Sequence, residues 1–260
     1  MPVVMDDIDV CPNPIFLIGV HRSGTSLMRR ILNAHPSIAC PPESYFLIHY
    51  AEMLADETIF GLSGMGYSRE QAWVALRRQS AHFHEAFRLA EGKQRWADKT
   101  PQYVFALEKL RALFGDEAKF VLLFRDPYDV AASIFRRGWR LHDDHPDLMT
   151  NTARYVLAGQ TRMREFATAH PGQVYILRYE SLTANPETSL RSLFSWLGEP
   201  WSDDVLQHHE KSHNFGTEDP IVRGLKGFVP SQDNWHNLAA EDRTTLTSVL
   251  GHWRADYFQL

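Results

Sequence analysis

The chain has 260 residues, 44% hydrophobic and 23% charged, a size and composition that support one large α/β domain with a real core. Its formal net charge is −5, so no global field points to DNA or RNA and any anion site must be local. No apolar run approaches membrane-spanning length, and the start MPVVMDDIDV lacks the basic and apolar segments of a secretory signal, so a cytoplasmic protein is expected.

In chain order, residues 15–20 (IFLIGV) read as a buried parallel strand. A helix follows from Gly24, with Leu27, Met28, Ile31 and Leu32 on one face, and His35-Pro36 stops it. Residues 44–92 carry helix formers and scattered aromatics and read as a helical insertion broken near Gly61–Gly66. Thr100-Pro101 opens a helix over 101–114. Residues 119–124 (KFVLLF) and 173–178 (QVYILR) read as further buried strands. Helices are predicted over 127–138, roughly 147–169, 186–197 and 239–252, and a loop-like segment over 205–236. Strands alternating with helices argue for a mostly parallel sheet with crossovers, in a single domain over 1–260. Cys11 and Cys40 are not closely spaced, so reduced structural thiols are expected rather than a disulfide or metal site. None of the thirteen histidines falls in a metal-binding spacing, and no metal is expected.

Three segments carry candidate chemistry. Gly19-Val20-His21-Arg22-Ser23-Gly24-Thr25-Ser26 has the two-glycine frame of a phosphate-binding loop, but Thr25 stands where a nucleotide triphosphatase carries lysine, and the positive charge sits at Arg22. Backbone N–H groups and the helix start can still cradle a phosphate. In Phe124-Arg125-Asp126-Pro127-Tyr128-Asp129-Val130-Ala131-Ala132-Ser133, an arginine at a strand's carboxyl end faces the crevice where α/β sheets bind ligands. Its guanidinium can grip a phosphate, with Ser133 completing the shell. The third segment, Leu177-Arg178-Tyr179-Glu180, again ends a strand.

In this order the segments resemble the sulfotransferases that use 3′-phosphoadenosine 5′-phosphosulfate (PAPS). The resemblance spans roughly residues 14–200 and implies a P-loop-containing three-layer α/β/α fold with a helical insertion. RSGTS-L-M is similar to the 5′-phosphosulfate loop, so Arg22, Ser23, Gly24, Thr25 and Ser26 are cofactor-binding candidates. The RDP element is similar to the 3′-phosphate element, which brings in Arg125 and Ser133, with Arg137 one turn later where the family places an arginine. Tyr179 resembles the tyrosine near the adenine. Arg223-Gly224-Leu225-Lys226-Gly227, with Asn234-Trp235 after it, resembles the loop that closes over the nucleotide, so Arg223 and Lys226 are expected to touch phosphate.

The run Arg22–Arg29, Ala34-His35-Pro36 and Cys40-Pro41-Pro42-Glu43 is similar to the tyrosylprotein and carbohydrate branch, whose proposed general base falls on Glu43. Pro42 beside it, and the absence of the following basic residue, count against a peptidyl-tyrosine acceptor. The implied reaction is in-line sulfuryl transfer from PAPS to a hydroxyl or amine of a small-molecule, lipid or carbohydrate acceptor, leaving 3′,5′-adenosine bisphosphate. Glu43 is the base, Arg22 neutralises the leaving group, and Lys99 resembles a lysine kept beside the sulfuryl group. His208 or His209 is an alternative base. The competing expectation is a P-loop kinase or hydrolase using ATP or GTP, for which the chain lacks the loop lysine and a convincing Mg²⁺-binding strand end.

Overall fold

The structure, a computed structural model, describes residues 11, 13–141, 145–211, 213, 224, 226–231 and 234–257. Its strands are β1 (Ile15–Ile18), β2 (Ile38–Ala39), β3 (Arg95–Lys99), β4 (Lys119–Phe124) and β5 (Val174–Arg178). They form one sheet in the order β2-β3-β1-β4-β5, and every pairing is parallel. Ile15 of β1 sits opposite both Ala97 of β3 and Lys119 of β4.

Period-2 alternation sends successive side chains to opposite faces of the sheet. On one face Phe16, Ile18, Phe120, Leu122 and Phe124 join Trp96, Phe114 and Phe166 in an apolar cluster. Phe16 stacks on Phe120 at 5.2 Å and meets Trp96 edge-on at 5.8 Å. Ile15, Leu17, Val121 and Leu123 point the other way and pack on Leu27, Ile31, Leu190 and Phe194. The first cluster draws on α5 (Leu107–Phe114), α6 (Pro127–Phe135), α7 (Leu148–Ala169) and the last helix, α10 (Ala240–Tyr257). The second draws on α1 (Thr25–Ala34), α8 (Tyr179–Ala184) and α9 (Pro186–Leu197). The result is the expected helix–sheet–helix sandwich.

The predicted insertion is α2 (Leu47–Glu52), α3 (Asp56–Gly64) and α4 (Arg69–Ala90). Its break after Gly64 falls where the glycines place it. Ser68 and Gln71 then start α4 with a reciprocal capping box. Helix α9 has the predicted bounds and α10 runs longer than predicted.

Several local expectations are corrected. The sheet has five strands, not three. β3 reads RWADK and shows no apolar run, yet all its residues are buried. Its polar side chains are paired internally: Arg95 Nη1 donates to Leu197 O (2.8 Å), Asp98 meets His84 Nε2 (2.9 Å), and Trp96 Nε1 donates to Glu85 (2.8 Å). Because the charges are matched, hydrophobicity does not mark the strand. β5 lies at the sheet edge, and Ile176 is 38% exposed, so it is not the buried strand its composition suggests. Residues 101–114 divide into a 3₁₀ turn, Pro101–Phe105, and α5. Helix α6 ends at Phe135, short of 138. Among the described residues, no helix is long and apolar enough to cross a membrane. Cys11 and Cys40 are buried free thiols, and burial pushes the Cys40 thiol up to about 12.

Helix α7 crosses close to the chain just after β1. A Cβ on Gly159 would lie 2.3 Å from Val20 Cγ1. Gly159→Ala is therefore expected to destabilise the fold by about 1–3 kcal/mol through overpacking. The melting temperature should fall by about 2–4 °C per kcal/mol, which a thermal-shift series would read. An unchanged value would show that α7 moves away from Val20 without cost.

Candidate active site

The loop between β1 and α1 sits at the carboxyl edge of the central strand, in the crevice of an open α/β sheet. Both its glycines are obligatory on packing grounds. A Cβ on Gly19 would meet Thr25 Cγ2 at 2.8 Å and Leu123 O at 2.9 Å. Gly24 has φ +97°, and a Cβ there would lie 2.5 Å from the Tyr179 ring. Two non-glycine residues adopt positive φ among the described residues, Arg22 (71°) and Tyr45 (59°). Both belong to this crevice, where stored backbone strain concentrates in functional sites. Ser23 is fully buried and its hydroxyl has no partner among the described residues. A bound phosphate oxygen would satisfy it, so the loop fits an anion.

Residues far apart in sequence meet here. Arg22 Nε donates to Ser133 Oγ at 3.1 Å. Arg125, at the end of β4, donates from Nη1 to Arg22 O at 3.2 Å. Its Nε and Nη2 donate to Ser231 Oγ at 3.2 and 3.1 Å, and Nη2 lies 3.7 Å from Asp129. The guanidinium lies over the Tyr179 ring, 4.6 Å from its centroid. Tyr179 donates its hydroxyl to Val229 O at 2.6 Å. Residues 229–231 therefore run across Arg125 and Tyr179, and Ser231 also donates to Asp129.

The second group lies on the β3 side. Lys99 ends β3 and pairs with Glu43, whose other oxygen accepts from Tyr45 Oη. The Lys99 side chain is 5% exposed and that of Glu43 27%, so the lysine is buried and the carboxylate is the more open member of the pair. Partial burial, with Glu43 beside it, pushes the Tyr45 phenol up to about 12.

Helix α10 fixes the frame. Arg254 donates to both Asp126 oxygens at 2.8–3.1 Å and lies over the Tyr128 and Trp235 rings. Asp126 caps α6, and its own N–H donates to Glu180, which also accepts from Tyr257. The start of α6 and the start of α8 are thus tied to one helix.

Arg22, Ser23, Gly24, Thr25, Ser26, Ser133, Arg125 and Tyr179 form one group, and Glu43 and Lys99 another. Arg137 is not carried toward Ser133 by a continuing helix. It lies exposed beyond the end of α6, in a turn whose N–H reaches Ile134 O (3.0 Å), with its guanidinium against Trp139. Lys226 is exposed. Arg223 lies outside the described residues. His208 is fully buried against Phe228, and burial lowers its pKa to about 4.

Sequence reasoning missed Asp129, Ser231 and Tyr45. Asp129 lies within the quoted RDP segment, four residues after Arg125, which was a usable signal. Ser231 reaches the site only through tertiary folding.

The model of the Sulfotransferase family matches residues 14–203. The chain is 33% identical to the nodulation protein NoeE of Sinorhizobium fredii, over 94% of this chain and 65% of that protein. It is 31% identical to protein-tyrosine sulfotransferase 1 of Danio rerio, over 75% of this chain and 56% of that one. Thus it spans less than two thirds of the length of these curated relatives. The solved sulfotransferase domain of the Synechococcus PCC 7002 olefin synthase superposes with a TM-score of 0.65 at 20% identity, covering 95% of this chain and 97% of that domain, a likeness of fold.

Proposed function

The chain belongs to the sulfotransferase family, and from that premise we propose that it moves a sulfuryl group from PAPS to a hydroxyl or amine of a small-molecule, lipid or carbohydrate acceptor. One observation carries this reading: an anion loop whose buried Ser23 hydroxyl has no partner among the described residues, bordered by Arg22 and Arg125, lies in the same crevice as a carboxylate–lysine pair. PAPS supplies the sulfuryl group when bound, and 3′,5′-adenosine bisphosphate is the leaving product.

The loop N–H groups and Ser23 hold the 5′-phosphate, and Arg125 with Ser133 holds the 3′-phosphate. Glu43 accepts the acceptor's proton as the new bond to sulfur forms. Arg22 neutralises the oxygen released when the old bond to sulfur breaks, and Lys99, beside the sulfuryl group, holds Glu43 in place. Tyr179 borders the base of the nucleotide, and Lys226 and Arg223 lie in the segment proposed to cover it. Arg137 remains a candidate phosphate ligand by its place in the motif alone, since it lies exposed against Trp139. None of these steps requires a metal.

The acceptor is proposed to be something other than peptidyl tyrosine, because Pro42 replaces a carboxylate beside Glu43. A cytoplasmic location is part of the same proposal. The kinase or hydrolase alternative is not favoured by the family match.

Calorimetric titration with 3′,5′-adenosine bisphosphate, ATP and GTP, each with and without Mg²⁺, tests the reading. The expected result is tight, metal-independent binding of the bisphosphate and weak binding of both triphosphates. Mg²⁺-dependent binding of ATP or GTP, with the bisphosphate ignored, would overturn it.

A further inference from the structure

One pair of side chains beside the reacting groups has no role in the transfer scheme. His21 precedes Arg22 in the anion loop, and its Nδ1 lies 2.6 Å from Tyr155 Oη. The His21 backbone N–H makes a longer contact, 3.4 Å, to the same oxygen. Tyr155 is 2% exposed, and its hydroxyl has no other partner among the described residues.

A buried phenol hydroxyl needs an acceptor. The His21 N–H can only donate, so the acceptor for the Tyr155 proton is Nδ1. That leaves Nδ1 without a proton of its own and places the ring proton on Nε2. Burial keeps both groups in these states: it pushes the Tyr155 phenol up to about 12 and lowers His21 to about 4, with Lys99 and Arg22 adding to the second effect and Glu43 opposing it.

The charged neighbours of the ring are Glu43, Lys99 and Arg22, the groups placed around the reacting sulfur. Trp139 closes another side, edge-on at 6.0 Å. His21 is half-buried, and Nε2 has no partner among the described residues. With one ring nitrogen taken and the other protonated, His21 has no lone pair to act as a base. It offers a neutral N–H, and beside two cations the natural partner for such a donor is an anionic oxygen.

We infer that His21 is a substrate-touching residue whose Nε2–H, fixed by Tyr155, hydrogen-bonds a non-bridging oxygen of the sulfuryl group. This rests on the sulfuryl-transfer reading. Tyr155 is then a positioning residue.

The test separates PAPS, which carries the sulfuryl group, from 3′,5′-adenosine bisphosphate, which does not. Both are titrated calorimetrically, without acceptor, into the wild-type chain and into His21→Ala, His21→Gln and Tyr155→Phe. His21→Ala is expected to bind PAPS about 10-fold more weakly, as for one lost hydrogen bond to a charged group, with bisphosphate affinity unchanged. His21→Gln, which keeps an N–H near Nε2, should recover much of the loss. Tyr155→Phe should weaken PAPS alone and shift the ¹⁵N signals of His21 away from the Nε2–H tautomer. Equal loss of both nucleotides, or no loss of PAPS, would overturn the inference while leaving sulfuryl transfer standing. Failure of the wild-type chain to bind the bisphosphate would overturn the transfer reading itself, and this inference with it.

Discussion

Replacing Glu43 by glutamine is expected to leave nucleotide binding intact and to lower turnover by about 10²- to 10⁴-fold, the usual effect of losing a general base. The substitution keeps the side chain's size and one of its two acceptor oxygens while removing the negative charge beside Lys99. Among the described residues the polar partners of Glu43 are Lys99 and Tyr45, outside the Arg125–Ser231 group, so affinity for 3′,5′-adenosine bisphosphate should stay within about twofold, below the effect of a typical hydrogen bond. The measurement pairs bisphosphate calorimetry with PAPS turnover against a panel of alcohols, phenols, sugars and amines. Unchanged turnover would reduce Glu43 to an ion-pair partner of Lys99. A parallel fall in binding would mean that the carboxylate organises the loop rather than the chemistry.

Arg125→Ala is expected to weaken the bisphosphate by about 10²-fold or more. Each hydrogen bond to a charged group contributes about 1.5–3 kcal/mol, and a forked contact supplies two. Adenosine 5′-phosphate lacks the 3′-group and should lose far less, so the ratio of the two affinities isolates the contact. Arg125→Lys should fall between, because lysine keeps the charge but not the fork. Asp129 is 1% exposed and retains its bond to Ser231 in either variant, so the melting temperature serves as the control for folding. Equal losses for both nucleotides would place Arg125 in the scaffold, holding Arg22 O and residue 231, instead of on the 3′-phosphate.

The legible parts of the sequence were those where local chemistry and global fold agree. IFLI and KFVLLF announce central strands because both faces of a parallel sheet are covered, and the glycines of the loop are forced by a Cβ that would strike Leu123 O or the Tyr179 ring. RWADK escaped notice for the opposite reason. Its burial is paid for by partners on other elements, His84 and Glu85 on the preceding helix and Glu199 from beyond α9, which no local pattern reveals. The same holds for the site. Arg22, Arg125 and Glu43 are candidates readable from motif and strand end, whereas Ser231 and Tyr155 meet the loop only because folding carries a distant segment and a helix face to it. Helix α6 stops at Phe135, three residues before the expected end, because tight local turns from Arg137 N–H to Ile134 O and Gly138 N–H to Phe135 O close it, with Gly138 at φ +67° as the stop.

The placement of β1 between β3 and β4 has a consequence for how the molecule is made. The apolar segment Ile15–Ile18 leaves the ribosome before its partners, Ala97–Lys99 and Lys119–Leu122. Until those residues emerge, the future centre of the sheet has no strand to pair with and remains a sticky stretch in the nascent chain. Pairings this remote are slow to form and expose such segments to self-association. The most buried element of the finished protein is therefore its most vulnerable one during synthesis, and a shift to lower expression temperature should favour recovery of folded material more than changes at the surface would.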